Sequence, residues 1–459
     1  MSRRLPLLLL VPVLLGAFAF HAYRAEHSTS SYQSADERSY GKLAVNLAEQ
    51  GHYGDRSTNM REPLHWPPGA PMLFAAGHAV FPSAASAETF DLPSAYWLQA
   101  VVSMGSALAA FGLAWLLAGA WAGLAAATLV GFYPPLILAT GEQLSEPLGA
   151  FFVITSFMAL AVAVGRRRWW AFGLAGVALG AAVLTRADLL LAPFVVAVLT
   201  TAWGLIGSRD PRRAMLAGGM IVAGAGLVMA PWTAYVSDRA GRFVPITSGS
   251  SSALFVGTYL PGNGTTLGMK RALAPEAQRA NPRLRGIAGG DLEARSVLKV
   301  VADRRPELSF NAAVGQEARR NITLYGREDP VGFARMMLNK VQRMWSRYAR
   351  GGARHTSPVI RVWHILLVLG CAAGLVAGTR RGRSLVLGAI ALVILYATAI
   401  HMLVVSQARY NLPLMPVLVA GGVAGWAIVL RERGSRGRDG VRTPHEPAGA
   451  VNASKPAPV

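Results

Sequence analysis

Asp36 and Glu37 are the residues of this chain best placed to do chemistry. They stand side by side in the stretch SADERSYGKLAVNLAEQGHY, just after the first hydrophobic run. Ser34 with Glu37 fits a capping box, and Tyr40, Leu43, Ala44 and Leu47 follow at helical spacing. That pattern predicts an amphipathic helix lying on a membrane surface with its apolar face down. Two readings of the acidic pair stand together. It complements the dipole of its own helix, and it supplies a carboxylate at a membrane–water boundary, a general base toward a hydroxyl or amine.

Other polar groups gather in short connections between apolar runs. Glu62-Pro63-Leu64-His65-Trp66-Pro67-Pro68-Gly69-Ala70-Pro71 reads as a rigid turn, with a further helix from Pro71 to Phe81. His65 and Trp66 border a sugar site, by hydrogen bonding and stacking, or are a loop histidine and an interfacial tryptophan. Glu142 and Glu146 lie in the connection GEQLSEP, with Glu146 beside Pro147 at a helix start. Each is a helix-terminal charge or a functional acid at membrane depth. Arg186 and Asp188 sit in LTRAD, where they pair with each other or Arg186 meets a phosphate. Arg409 and Tyr410 belong to QARYNLP, and Arg409 is a lone cation in a tight turn whose side of the membrane should lack them. Guanidinium suits bidentate phosphate binding.

The elements that must position these groups are helices in a bilayer. Of 459 residues 53% are hydrophobic and 15% charged, well below the soluble average of about 25% charged. The fold class is an all-α polytopic membrane protein with about ten transmembrane helices, surface-lying helices in the first outer loop and a small outer subdomain. The spans run approximately Leu5–Tyr23, Ala95–Ala118, Trp121–Ala139, Pro147–Val164, Trp170–Leu184, Leu189–Ile206, Met215–Tyr235, Val359–Ala377, Ser384–Val404 and Leu412–Leu430, the fifth being short. The first is read as a retained span rather than a cleaved leader. The formal charge of +21 does not mark a nucleic-acid binder, because many positives flank apolar runs.

Arg3, Arg4, Arg166, Arg167, Arg168, Arg209, Arg212, Arg213, Arg380, Arg381, Arg383, Arg431, Arg433, Arg436 and Arg438 fall on one side if the helices alternate. The positive-inside rule makes that side cytoplasmic, with both termini there and the acidic and Arg409 motifs outside. The organisation is then residues 1–235 as an N-terminal membrane module holding the outer loop 24–94, an extracytoplasmic subdomain 236–358, C-terminal helices 359–430 and a disordered cytoplasmic tail 431–459. Within the outer subdomain, Val331–Arg350 is a basic amphipathic stretch. Phe333, Met337, Val341, Trp345 and Tyr348 form its stripe, with Arg335, Lys340, Arg343, Arg347 and Arg350 on or around the polar face. It reads as an interfacial helix drawn to anionic lipid. Cys371 is the single cysteine, so no intrachain disulfide forms, and no metal or cofactor motif is present.

In order along the chain, DERSYGKLAVNLAEQGHY, PLHWPPGAP, GEQLSEPL, LTRAD, APWTAYVSDRAGRFVPITSGSS and ARYNLPLMPVL resemble the polytopic lipid-linked-sugar glycosyltransferase superfamily (GT-C type). The resemblance covers most of Leu5 to Leu430 and is nearest the dolichyl-phosphate-mannose–protein mannosyltransferase and bacterial aminoarabinose transferase group. It implies a polyprenyl-phosphate-linked sugar as donor, an extracytoplasmic acceptor (glycan, lipid or protein), an inverting transfer, and no cofactor or nucleic-acid partner. By the resemblance Asp36 is the first-loop catalytic aspartate, Glu146 and Arg186 line the cavity, and Arg409 with Tyr410 lies near the donor phosphate. The adjacent Glu37 leaves open which carboxylate acts. A transporter or lipid flippase is the rival reading of such a chain, and a non-catalytic member of the same superfamily is another. The first should carry paired repeats and broken midplane helices.

Overall fold

A computed structural model describes residues 4–28, 34–54, 65–83, 90–207, 210–347, 357–382 and 384–439. Arg3, Arg209, Glu62, Pro63, Leu64, Tyr348, Arg350, Arg383 and the tail beyond 439 lie outside the described residues, as do the side chains of Arg436 and Arg438. The described residues are helical throughout their regular structure. In chain order the helices are α1 (Leu5–Glu26), α2 (Ala35–Gln50), α3 (Gly69–Val80), α4 (Pro93–Ala118), α5 (Ala120–Gly131), α6 (Pro134–Thr140), α7 (Glu146–Gly165), α8 (Trp170–Thr185) and α9 (Ala192–Gly207). There follow α10 (Pro211–Ala240), α11 (Ser250–Thr258), α12 (Thr266–Ala280), α13 (Ala294–Ala302), α14 (Phe310–Glu328), α15 (Pro330–Ser346), α16 (Pro358–Gly382), α17 (Leu385–Leu403) and α18 (Met415–Asp439).

Eight helices among the described residues are long and apolar enough to cross a bilayer. They account for all of the expected spans but the third and fifth. The third is broken: α5 and α6 meet at a bend of 51°. The cause is local, since Pro134 and Pro135 lack the N–H groups that would continue the ladder from α5. The fifth is α8, a 16-residue helix, short of the roughly 20 residues a straight span needs. The chain is a multi-pass membrane protein.

The main core runs through α4, α5, α7, α8, α10, α17 and α18. Many of its residues are alanine and glycine, because helices gain little in lipid from bulky apolar contact and associate by close backbone approach. The seam between α16 and α18 is the clearest case. A Cβ on Gly422 would meet the Cys371 backbone, and one on Gly378 would meet Gly425. That approach fixes α18 and, with it, the turn that precedes it.

Two smaller cores lie apart. One joins α2 and α3 through Tyr40, Ala44, Phe74, Leu92 and Leu144. The apolar stripe of α2 therefore packs against protein, on α3 and the start of α4, where the sequence pattern alone had it facing lipid. The reason is α3 itself, which supplies an apolar partner surface that periodicity cannot reveal. The other core is built from α11, α12, α13 and α14, a helical subdomain that follows α10.

α15 stitches this subdomain to the membrane helices, contacting α14, α16 and α17. Its stripe is rotated from expectation: Met336, Met337, Lys340 and Met344 are the buried positions. Lys340, expected on the polar face, is fully buried. Its Nζ donates to Gly257 O at 2.8 Å and Met402 O at 2.6 Å, carbonyls in the last turns of α11 and α17. Those carbonyls have no helical donor of their own, and their dipole ends attract a cation. Burial pulls the Lys340 pKa down to about 7, with Arg343 adding to the shift. An unfolded lysine titrates near 10.4, so from about pH 7 to about pH 10.4 the folded state binds fewer protons at this site. Stability should therefore rise with pH across that window. We expect Lys340→Met to flatten this pH dependence in thermal unfolding. It should also lower stability by about 1–3 kcal/mol, because two buried carbonyls lose their donor.

Candidate active site

The connection between α6 and α7, Thr140–Glu146, is buried along its whole length, so its backbone must find partners inside the protein. Ser28 Oγ donates to Gly141 O at 2.6 Å, and Gln99 Nε2 donates to Glu142 O. Gln143 N donates to Glu37 Oε1 at 3.3 Å. The other Glu37 oxygen, Oε2, accepts from Ser34 N at 2.7 Å, and Glu37 N in turn donates to Ser34 Oγ. The capping box is thus formed as the sequence predicts. Glu37 has both carboxylate oxygens engaged, one in the cap and one on the α6–α7 loop.

Asp36, one position earlier, points elsewhere. Its Oδ2 accepts a hydrogen bond from Arg409 Nη2. Arg409 lies in a 3₁₀ segment, Ala408–Leu414, that leads into α18. Its Nε donates to Gln407 Oε1 at 3.0 Å and sits 3.4 Å from Glu146 Oε1. The same Glu146 oxygen lies 3.3 Å from Arg186 Nη1. Arg186 in turn forms a two-point pair with Asp188, both contacts at 3.2 Å, and Asp188 accepts from His401 Nε2 at 2.9 Å. Tyr410 lies against both guanidiniums, 4.9 Å from Arg186 and 5.9 Å from Arg409, with the His401 ring 4.8 Å away. One chain of alternating charge therefore runs from α2 to the end of α17, across residues far apart in sequence.

Glu146 is the pivot of this chain. It is 2% exposed, its Oε1 faces two guanidiniums, and its Oε2 has no hydrogen-bond partner among the described residues. Glu142, Glu146 and Arg409 line a cleft with Pro135, Leu138, Leu144 and Asn411. As it stands the cleft holds little more than about one water molecule.

His65 and Trp66 stand further out. Trp66 packs against Tyr40 with ring centroids 5.1 Å apart, and His65 meets Trp66 edge-on at 4.8 Å. A Cβ on Gly249 would overlap the His65 ring, so His65 abuts the start of α11. Its electrostatic neighbours are Asp36 and Arg295. Tyr53 fixes the turn by donating to Trp66 O and Pro67 O, each at 3.1 Å.

The structure thus brings Asp36, Glu146, Arg186, Arg409 and Tyr410 together, sets Glu142 on the cleft wall, and leaves His65 and Trp66 off the cleft lining, against Tyr40 and Gly249. Sequence reasoning missed three members of the neighbourhood. His401 had a signal, an ionisable side chain within an apolar helix. Tyr40, read as part of an apolar stripe, borders the acids: burial first, then the Glu146 carboxylate, raise its pKa, so its hydroxyl stays neutral. Asn411 ties the 3₁₀ segment to α15 through Met344 O at 2.6 Å. Among the described residues no group of three or more His, Cys, Asp or Glu side chains is placed to hold a metal ion.

No family model matches the chain, and no curated relative does. Solved structures match in shape. The oligosaccharyltransferase of Archaeoglobus fulgidus in its apo form superposes with a TM-score of 0.54 at 16% identity, over 95% of this chain and 53% of that one. The same organism's oligosaccharyltransferase AglB, in complex with an inhibitory peptide and a dolichol-phosphate, gives 0.53 at 14%, over 95% and 52%. The chain shares its fold with these oligosaccharyltransferases. It spans about half the length of AglB. ArnT from Cupriavidus metallidurans bound to undecaprenyl phosphate also aligns, at a TM-score of 0.40 and 15% identity over 95% of this chain and 80% of ArnT, a likeness too loose to argue from.

Proposed function

We propose that the chain is an integral membrane glycosyltransferase that moves a sugar from a polyprenyl-phosphate donor to an acceptor on the extracytoplasmic face. The observation that carries this reading is the contact of Asp36, a carboxylate able to accept a proton, with Arg409, a guanidinium suited to phosphate that lines a cleft together with Glu146. The fold shared with AglB, a protein solved with a dolichol-phosphate, supports it.

In the proposed reaction the donor phosphate takes over Arg409 and frees Asp36. An acceptor O–H or N–H then attacks C1 of the sugar, and its proton passes to Asp36. The C1–O bond to phosphate breaks, and the polyprenyl phosphate leaves with the electron pair. Its growing charge is stabilised by Arg409, with Arg186 behind it. Attack opposite the leaving group inverts the configuration at C1. Glu146 Oε2 accepts a sugar hydroxyl, and Trp66 with His65 borders the acceptor. Glu37, with both oxygens bound, positions α2 against the α6–α7 loop rather than taking the proton. Long apolar helices shape the groove for the lipid, and holding donor and acceptor at one rim supplies a large part of the rate advantage.

The test is turnover by purified protein in nanodiscs given a synthetic sugar-bearing polyprenyl phosphate and candidate acceptors. Release of polyprenyl phosphate together with an inverted glycosidic product is expected. A flippase would move the lipid with the C1–O bond intact, and that outcome would overturn the reading.

A further inference from the structure

A second polar cavity, of about 280 Å³, opens beside the C-terminal end of α15, lined by Asn263, Asn339, Gln342, Arg343 and Arg347. It shares no lining residue with the Asp36–Arg409 cleft. Positions 339, 342 and 343 occupy one face of α15, and Arg347 is the residue that ends the helix, in extended backbone. Asn263 reaches them from the opposite wall, in left-handed backbone at φ +50°.

The charge in this cavity is uncompensated. Arg343 Nη2 has one long contact, 3.5 Å to Asn263 O, and its buried Nη1 has no partner among the described residues. Arg347 adds a like charge one turn away, and no lining residue is acidic. Burial and the Arg347 guanidinium both lower the Arg343 pKa. Three other poorly exposed guanidiniums face carboxylates, Arg186 with Glu146, Arg305 with Glu317 and Arg409 with Asp36. A half-buried cation with an orphaned donor is costly unless an anion completes it.

The chemistry of the missing anion follows from the donors. Two guanidinium forks suit the several oxygens of a phosphate. The amides of Asn339 and Gln342 both donate and accept, as hydroxyl groups require. The volume lies just below the usual range for small-molecule sites, about 300–1,000 Å³. We propose that Arg343 and Arg347, with Asn263, Asn339 and Gln342, form a binding site for a phosphate monoester carrying a small hydroxylated group. The source is either a lipid headgroup or a soluble phosphate. The site is joined to the cleft through backbone: Asn411 Nδ2 donates to Met344 O at 2.6 Å and approaches Arg347 O at 3.4 Å. A ligand that holds Arg347 also steadies the segment bearing Arg409. The assignment does not depend on glycosyl transfer.

The experiment uses the full chain. In detergent, inorganic phosphate is titrated calorimetrically; in nanodiscs, retention of phosphatidic acid over phosphatidylcholine is measured by lipid mass spectrometry. The R343Q/R347Q double variant should weaken phosphate binding by about tenfold or more, as expected for loss of charge-assisted bonds. Arg335→Gln, exposed on the same helix, should leave it unchanged. Free phosphate binding without lipid preference assigns a soluble ligand, and phosphatidic acid retention assigns a headgroup. The proposal falls if the native protein binds neither probe, if the double variant binds as the native protein does, or if Arg335→Gln weakens binding equally. Should the double variant melt, Asn339→Ala with Gln342→Ala is read in its place, with an expected loss of about 2–10-fold. Unchanged binding in that variant overturns the proposal as well.

Discussion

Replacing Asp36 with Asn is expected to slow sugar transfer by about 10²–10⁴-fold, the usual contribution of a positioned general base. The substitution is nearly isosteric, and the amide oxygen can still accept from Arg409, so donor affinity should change little. What is lost is the ability to take a proton. Single-turnover release of polyprenyl phosphate, measured beside donor affinity, separates the two. The matched control is Glu37→Gln. Its side chain lies in the cap and on the Gln143 amide, so it should lower the melting temperature and leave the chemical step within a few-fold of normal. If Asp36→Asn turns over normally, or if Glu37→Gln is the inactive one of the two, the assignment of the base is wrong.

Glu146→Leu is expected to be the most damaging single change to folding. The residue is 2% exposed and stands between Arg186 and Arg409. Removing it leaves Arg409 with Asp36 and Arg186 with Asp188 as their remaining carboxylates, and turns the two guanidiniums toward each other with no anion between them. Breaking one member of a buried ion pair typically costs about 3–5 kcal/mol. Glu146→Gln, which keeps the shape and one hydrogen-bond acceptor, should lie between. Thermal unfolding in detergent reads both, and a Glu146→Leu protein that melts with the native one would show that the carboxylate is dispensable to the network.

Much of this arrangement was legible in the chain. Ser34 and Glu37 announce the start of α2, and Pro147 fits the first turn of α7. Arg409 was conspicuous as a lone cation in a tight turn expected to face away from the other short-loop positives, and in the structure it contacts Asp36. What escaped notice depends on tertiary partners. Helical periodicity marks a stripe on α15 but not which edge of it faces the protein, so Lys340 looked solvated although two helix ends enclose it. Hydropathy averages over Pro134 and Pro135, and so runs α5 and α6 into one straight span. Asp188 was read as a partner of Arg186 and His401 is an ionisable group in an apolar helix, but only the meeting of α17 with the α8–α9 turn makes the two neighbours.

One consequence of the α2 cap concerns the order of its two acids. Neighbouring positions on a helix are turned by about 100° from each other. Exchanging Asp36 and Glu37 would therefore conserve composition and net charge while swinging the longer arm outward and leaving the shorter one to span the distance to Ser34 and Gln143. Near this cap, aspartate and glutamate are not synonyms, and a chain bearing them in reverse would have to find a different way to seat α2.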